Sequence, residues 1–209
     1  MSYIENIFVC LASPILIAAV CMRGRGRRMM LFLLGGMVVC LLSSYINTFL
    51  AALHGASAVT ASLEIAPLVE EFMKFCPILF YLLVFEPSRE EISDGVLMTA
   101  VGFATFENAC YLAANSADQF VYLMIRGIGT GAMHVVCGVL IASGLFFLWD
   151  RSWMRTAGTV GLLSVAVTYH GIYNILVAQD GAAAYVGYGV PILTVLIGML
   201  LEQNFPRRM

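Results

Sequence analysis

Five ionisable side chains stand in stretches of this chain that are otherwise apolar. Glu70 and Glu71 lie in PLVEEFMKF, Glu107 in FATFENACY, His134 in GAMHVVCG and His170 in YHGIYN. A charged side chain at bilayer depth costs about 3 kcal/mol even on the mildest scale, so such residues mark sites that act or pair. Their types suit one chemistry in particular. A glutamate with two histidines in a helix-bundle core is a donor set for a divalent metal, and a second carboxylate is then free to act as general base on a bound water.

Spacing sorts these residues into clusters. Glu70 and Lys74 are four apart and share a helix face, while Glu71 is turned away by about 100°. An internal ion pair accounts for one glutamate and the lysine and leaves the other glutamate to face another helix or a water. Glu107 opens a second cluster with Asn108 and Tyr111, and Phe103, Glu107 and Tyr111 form one stripe. Taken alone, Glu107 could balance Lys74 or Arg126, and Asn108 could bond between helices. Arg126, Thr130 and His134 recur every four residues, and Gly127 with Gly131 forms a GxxxG that permits close helix approach. His170 and Asn174 are also four apart, so the amide can orient the imidazole or donate to an oxyanion. A single buried histidine is more often a neutral hydrogen-bonding residue than a ligand; the combination across four segments is what points to one polar site.

Other chemistries fit less well. Ser43, Ser44, Ser143 and Ser164 carry no GxSxG motif, and the aspartates fall at loops or segment ends, which argues against an aspartyl pair. The six cysteines include no CxxC and sit in apolar stretches as small hydrophobes.

The elements that must carry these residues are membrane spans. The chain has 209 residues, 61% hydrophobic and 11% charged, with a mean hydropathy of +0.90. That composition belongs to an integral membrane protein. Without a basic patch interleaved with aromatics, no nucleic-acid partner is expected. Stretches of about 20 apolar residues, enough to span a bilayer, run near Tyr3–Met22, Met29–Ala52, Ala61–Phe85, Ser93–Ala114, Phe120–Trp149, Thr156–Val177 and Ala182–Leu201. The expected fold is therefore all-α, a polytopic transmembrane helix bundle of about seven spans. Residues 1–209 read as one domain, with a motif-bearing core over about 61–178. The basic residues follow the first apolar run instead of preceding it, so this run is read as a retained helix and not a signal peptide.

Arg23, Arg25, Arg27, Arg28, Arg89, Arg151, Arg155, Arg207 and Arg208 all fall on one side of a seven-span chain, opposite His54, Asp118 and Asp180. The positive-inside rule then predicts an outside N-terminus and a cytoplasmic C-terminus. At about 1.5 Å per residue, Glu70, Glu71, Glu107 and His170 come out roughly 10–14 Å below the outer surface, and His134 deeper, at about 20 Å.

In this order, EExxK (Glu70, Glu71, Lys74), FENACY (Phe106, Glu107, Asn108, Tyr111), a lone intramembrane histidine (His134) and HxxxN (His170, Asn174) resemble the motifs of PrsW-type intramembrane proteases. These belong to the superfamily of CAAX prenyl proteases and bacteriocin-processing enzymes. The resemblance runs from about Leu68 to Asn174. It departs from the CAAX branch, whose pattern is EExxxR, FxxxH and HxxxN. Here Lys74 stands one position before that arginine, and Glu107 closes Phe103-xxx-Glu107 where that branch has histidine, which argues against prenyl-CAAX processing.

The resemblance implies a multi-pass intramembrane endopeptidase of a prokaryotic inner membrane. It would cut a membrane-anchored, single-span protein, such as an anti-sigma factor, by glutamate-activated and metal-assisted attack of water. Glu70 or Glu71 is then the base, while His134 and His170, with Glu107, hold the metal, expected to be zinc, or the developing oxyanion. Asn174 assists, Lys74 holds the glutamate pair, and Asn108, Tyr111 and Arg126 support. Two other classes stay open at this point: a proton-coupled transporter or channel using the same Glu and His set, and an inactive protein that sequesters single-span partners.

Overall fold

The computed structural model describes residues 4–115, 120–148 and 152–204. Helices α1 (Ile4–Cys21) and α2 (Gly24–His54) are followed by a short α3 (Ala58–Thr60). This runs through a π-helical turn (Ala61–Ile65) into α4 (Ala66–Phe85). Then come α5 (Arg89–Ala114), α6 (Phe120–Leu148), α7 (Ser152–Val177) and α8 (Ala182–Asn204). No strand occurs among the described residues. The loop charges Asp118, Arg151, Arg207 and Arg208 of the orientation argument lie outside the described residues.

Six of the helices (α1, α2, α5, α6, α7 and α8) are long and apolar enough to cross a membrane. The expected third span is covered by α3, the π turn and α4, and α4 differs from the six because it carries Glu70, Glu71 and Lys74 within its 20 residues. Large apolar side chains such as Phe49, Phe80 and Trp153 face outward, whereas Glu71, Lys74, His134 and His170 are buried. Apolar outside and polar within is the distribution a bilayer imposes. The chain is an integral, multi-pass membrane protein.

Two helices begin earlier than their hydrophobic runs. The arginines expected in the first loop largely belong to α2, which starts at Gly24, and Arg89 opens α5. Local chemistry accounts for both. Ser88 and Glu91 form a capping box, in which the Glu91 N–H donates to the Ser88 hydroxyl and the Ser88 N–H to the Glu91 carboxylate. Arg25 then pairs with Asp94 at 2.7 Å and Arg28 with Glu91 at 2.8 Å, joining the two helix starts.

Helix α5 is the middle of the bundle, packed on α2 along one side and α6 along the other. Its approach to α2 is backbone on backbone. A Cβ on Gly36 would stand 2.1 Å from the Thr99 carbonyl oxygen, and one on Gly102 would stand 2.0 Å from the Leu33 carbonyl oxygen. The expected GxxxG is not the site of such contact. Gly131 meets nothing within 4 Å, and a Cβ on Gly127 would meet only the Asn108 amide at 3.7 Å.

One cluster of buried side chains, including Met37, Phe103 and Phe106, fills the α2–α5 side. A larger one, including Phe75, Val96, Met133, Cys137, Leu145 and Tyr173, fills the side of α4, α6 and α7. The polar site lies between these two cores.

Candidate active site

Four helices bring their polar residues to one place. On α4, Glu71 and Lys74 point inward, 1% and 6% exposed, and the Lys74 ammonium donates to Glu71 Oε1 at 2.6 Å. The same ammonium donates to Nδ1 of His134 on α6 at 2.8 Å. His170 on α7 contacts Glu71 Oε1 through Nδ1, also at 2.8 Å. Glu107 on α5 lies 2.6 Å from His134 Nε2. The His134 ring sits between Phe103, at 4.9 Å between centroids, and His170, edge-on at 5.2 Å.

These partners fix the tautomers. An ammonium has only donors, so His134 Nδ1 accepts and its Nε2–H donates to Glu107. A carboxylate has only acceptors, so His170 donates Nδ1–H to Glu71. Its Nε2 faces Glu70 Oε2 at 3.8 Å. The adjacent glutamates thus have different tasks. Glu71 is the buried anchor shared by Lys74 and His170. Glu70 turns toward the open side of the site, its other oxygen accepting from Asn47 Nδ2 of α2 at 3.3 Å.

The open side is a cavity of about 360 Å³, lined among others by Glu70, Glu107, Arg126, Thr130, His170 and Asn174. Tyr111, Tyr122, Tyr173 and Tyr188 complete much of its wall. Arg126 stacks on the Tyr111 ring at 3.4 Å. It also donates to Asn108 Oδ1 at 3.0 Å and reaches Glu107 Oε1 at 3.5 Å. Asn108 donates in turn to the Gly127 carbonyl at 3.2 Å. This chain of contacts holds the Glu107 carboxylate from the far side of His134.

A metal donor set is present. Glu70, His134 and His170 each offer one ligand atom, all within 4.8 Å of one another. One carboxylate and two imidazoles suit zinc and other first-row divalent ions. To join the set through Nε2, His134 would release the proton it donates to Glu107, as metal binding generally displaces protons from its ligands. The residues therefore fit the group.

The sequence reading and the structure agree on which residues meet. Glu70, Glu71, Glu107, His134 and His170 converge, with Lys74, Asn108, Tyr111 and Arg126 around them. The greater depth expected of His134 is corrected by its contacts. It touches Glu107, although it lies twice as far from the start of α6 as Glu107 does from the end of α5. Counting along a helix gives depth only where the helices run parallel and start level.

Three further features went unread. Glu70 and not Glu107 completes the converging donor trio. Asn174 donates to the Ser62 carbonyl at 2.8 Å and not to the imidazole of His170. Asn47 was missed altogether, although an amide in the apolar run of α2 carries the same signal as the residues that were singled out.

A profile of the PrsW family intramembrane metalloproteases matches residues 25–200. Among curated relatives, the protease PrsW of Geobacillus kaustophilus is 28% identical over 128 residues, which is 58% of this chain and 54% of that protein. A phospho-N-acetylmuramoyl-pentapeptide-transferase of Citrifermentans bemidjiense is 32% identical over 121 residues, 54% of this chain but 33% of the transferase. The chain thus spans about a third to a half of the length of these relatives. No solved structure matches. The family match covers α2 to α8 and with them every residue of the site: this chain belongs to the PrsW family of intramembrane metalloproteases.

Proposed function

We propose that the protein is an intramembrane endopeptidase that hydrolyses a peptide bond of a membrane-anchored, single-span protein, an anti-sigma factor being the example the family suggests. The observation that carries this reading is the trio Glu70, His134 and His170 converging on the wall of a 360 Å³ cavity. Peptide hydrolysis needs a base for the water, a group to offset charge on the carbonyl oxygen and a donor for the departing amine. All three can be supplied here.

His134 and His170 would hold a divalent cation, zinc suiting this donor set, beside the Glu70 carboxylate. When bound, such an ion polarises a carbonyl and lowers the pKa of a water. Glu70 takes the proton of the attacking water and returns it to the leaving amine. Of the carboxylates, it is the best placed for this. Glu107 pairs with Arg126, and Glu71 is committed to Lys74 and His170. Glu107 instead orients the His134 ring in the metal-free site, and Glu71 orients the His170 ring. The transferase activity of the other relatives is a weaker guide, because the shared region is a third of those proteins.

The basic residues support an N-terminus outside and a C-terminus in the cytoplasm of a prokaryotic inner membrane, which puts the cavity on the outer half. The test is reconstitution with a single-span substrate. Wild type should cleave it; Glu70→Gln and His170→Ala, inserted at wild-type levels, should not, with losses of about 100-fold or more. Undiminished cleavage by Glu70→Gln would remove the assignment.

A further inference from the structure

The π turn ahead of α4 leaves the Ser62 carbonyl without its usual helical donor. In an α-helix the Ser62 carbonyl would accept from the N–H of residue 66, but the Ala66 N–H is committed to Ala61 O, the bond that makes the turn π-helical. In a π-helix it would accept from residue 67, which is proline and has no N–H. Insertion of the extra residue and the proline together orphan this carbonyl. Asn174 fills the gap from another helix, its Nδ2 donating to Ser62 O at 2.8 Å.

Asn174 stands one turn beyond His170 on the same face of α7, and His170 grips Glu71 of α4. Helix α7 therefore holds the third segment at two levels, the imidazole on the carboxylate and the amide on the π turn. Glu70 lies between the turn and the buried Glu71–Lys74 pair, and Ser62, Glu70, His170 and Asn174 all border the same cavity. Pro67 itself is fully buried.

We propose that Asn174 is a positioning residue: it supplies the backbone donor that Pro67 cannot, clamps the π turn against α7, and so holds Glu70 at the cavity beside His170. It acts through Ser62 and not on the reacting bond. The inference goes beyond the proteolytic reading and is separable from it, because the clamp has a readout of its own.

The experiment uses the purified full-length chain in detergent, with backbone amide exchange followed over residues 58–68 and cleavage of the single-span substrate followed in parallel. Asn174→Ala should speed exchange in this segment by about fivefold, the loss of one hydrogen bond, and should slow cleavage. Asn174→Asp, which keeps the shape but loses the donor, should do the same.

Unchanged exchange in both Asn174 variants would overturn the proposal. Loss of cleavage with unchanged exchange would mean that the amide acts on the substrate directly. If no substrate is cut even by wild type, the proteolytic reading fails, and the exchange pattern alone decides the clamp.

Discussion

At the scale of single residues, the adjacent glutamates carry the clearest contrast. Glu71 is buried with Lys74 and His170 on one of its oxygens, and removing its charge leaves an ammonium without a counter-ion in the bundle core. Breaking such a pair typically costs about 3–5 kcal/mol. In metal-free protein, Glu71→Gln should therefore lower the unfolding temperature and the yield of folded protein in detergent, whereas Glu70→Gln should leave both near wild type and abolish turnover of the metal-loaded enzyme. Equal thermal stability of the two variants would contradict this division.

Glu107→Gln should fall between the two. It removes the charge that balances Arg126 beside the donor set and should cost about 10- to 100-fold in metal affinity or rate, as outer-shell changes do. The sequence named nearly all of these residues, because a charge within an apolar run is conspicuous. It could not say which partner each one takes. Glu70 and Glu71 differ by one step around a helix, and only the positions of α6 and α7 decide which of them is enclosed.

At the scale of elements, hydropathy located the helices well and their ends less well. The starts of α2 and α5 were hidden because they are charged, and their order comes from the capping box at Ser88 and the Arg25–Asp94 and Arg28–Glu91 pairs. The π turn had no signature that periodicity detects. A short GxxxG spacing suggested close approach at Gly131, but the intimate contact is between α2 and α5.

This yields a paired prediction. Gly102→Ala places a methyl 2.0 Å from a backbone carbonyl. It must force the helices apart, at a cost of about 1–3 kcal/mol or more. Gly131→Ala meets open space and should change stability by less than about 1 kcal/mol, in the stabilising direction if helix propensity dominates. Thermal unfolding of the two variants in the same detergent checks both, and a tolerated Gly102→Ala would mean that α2 and α5 are not in backbone contact.

For the whole molecule, two properties follow from the arrangement as one unit. The first is orientation. A reporter fused to the C-terminus should be active only in its cytoplasmic form, and a periplasmic signal would overturn the positive-inside assignment.

The second is the dependence of fold and chemistry on the donor set shared by α4, α6 and α7. A ligand that binds the folded state alone stabilises it by mass action. Chelation should therefore lower the unfolding temperature of wild type and suppress cleavage, with zinc restoring both, while His134→Ala and His170→Ala should show no response to either treatment.

The central claim is that water, activated at Glu70, is added across a peptide bond. It is tested most directly by cleaving a single-span substrate in ¹⁸O-labelled water and weighing the products. The account predicts one heavy oxygen in the new C-terminal carboxylate for wild type and no product for Glu70→Gln. Unlabelled product, or labelled product formed equally fast by Glu70→Gln, would contradict it.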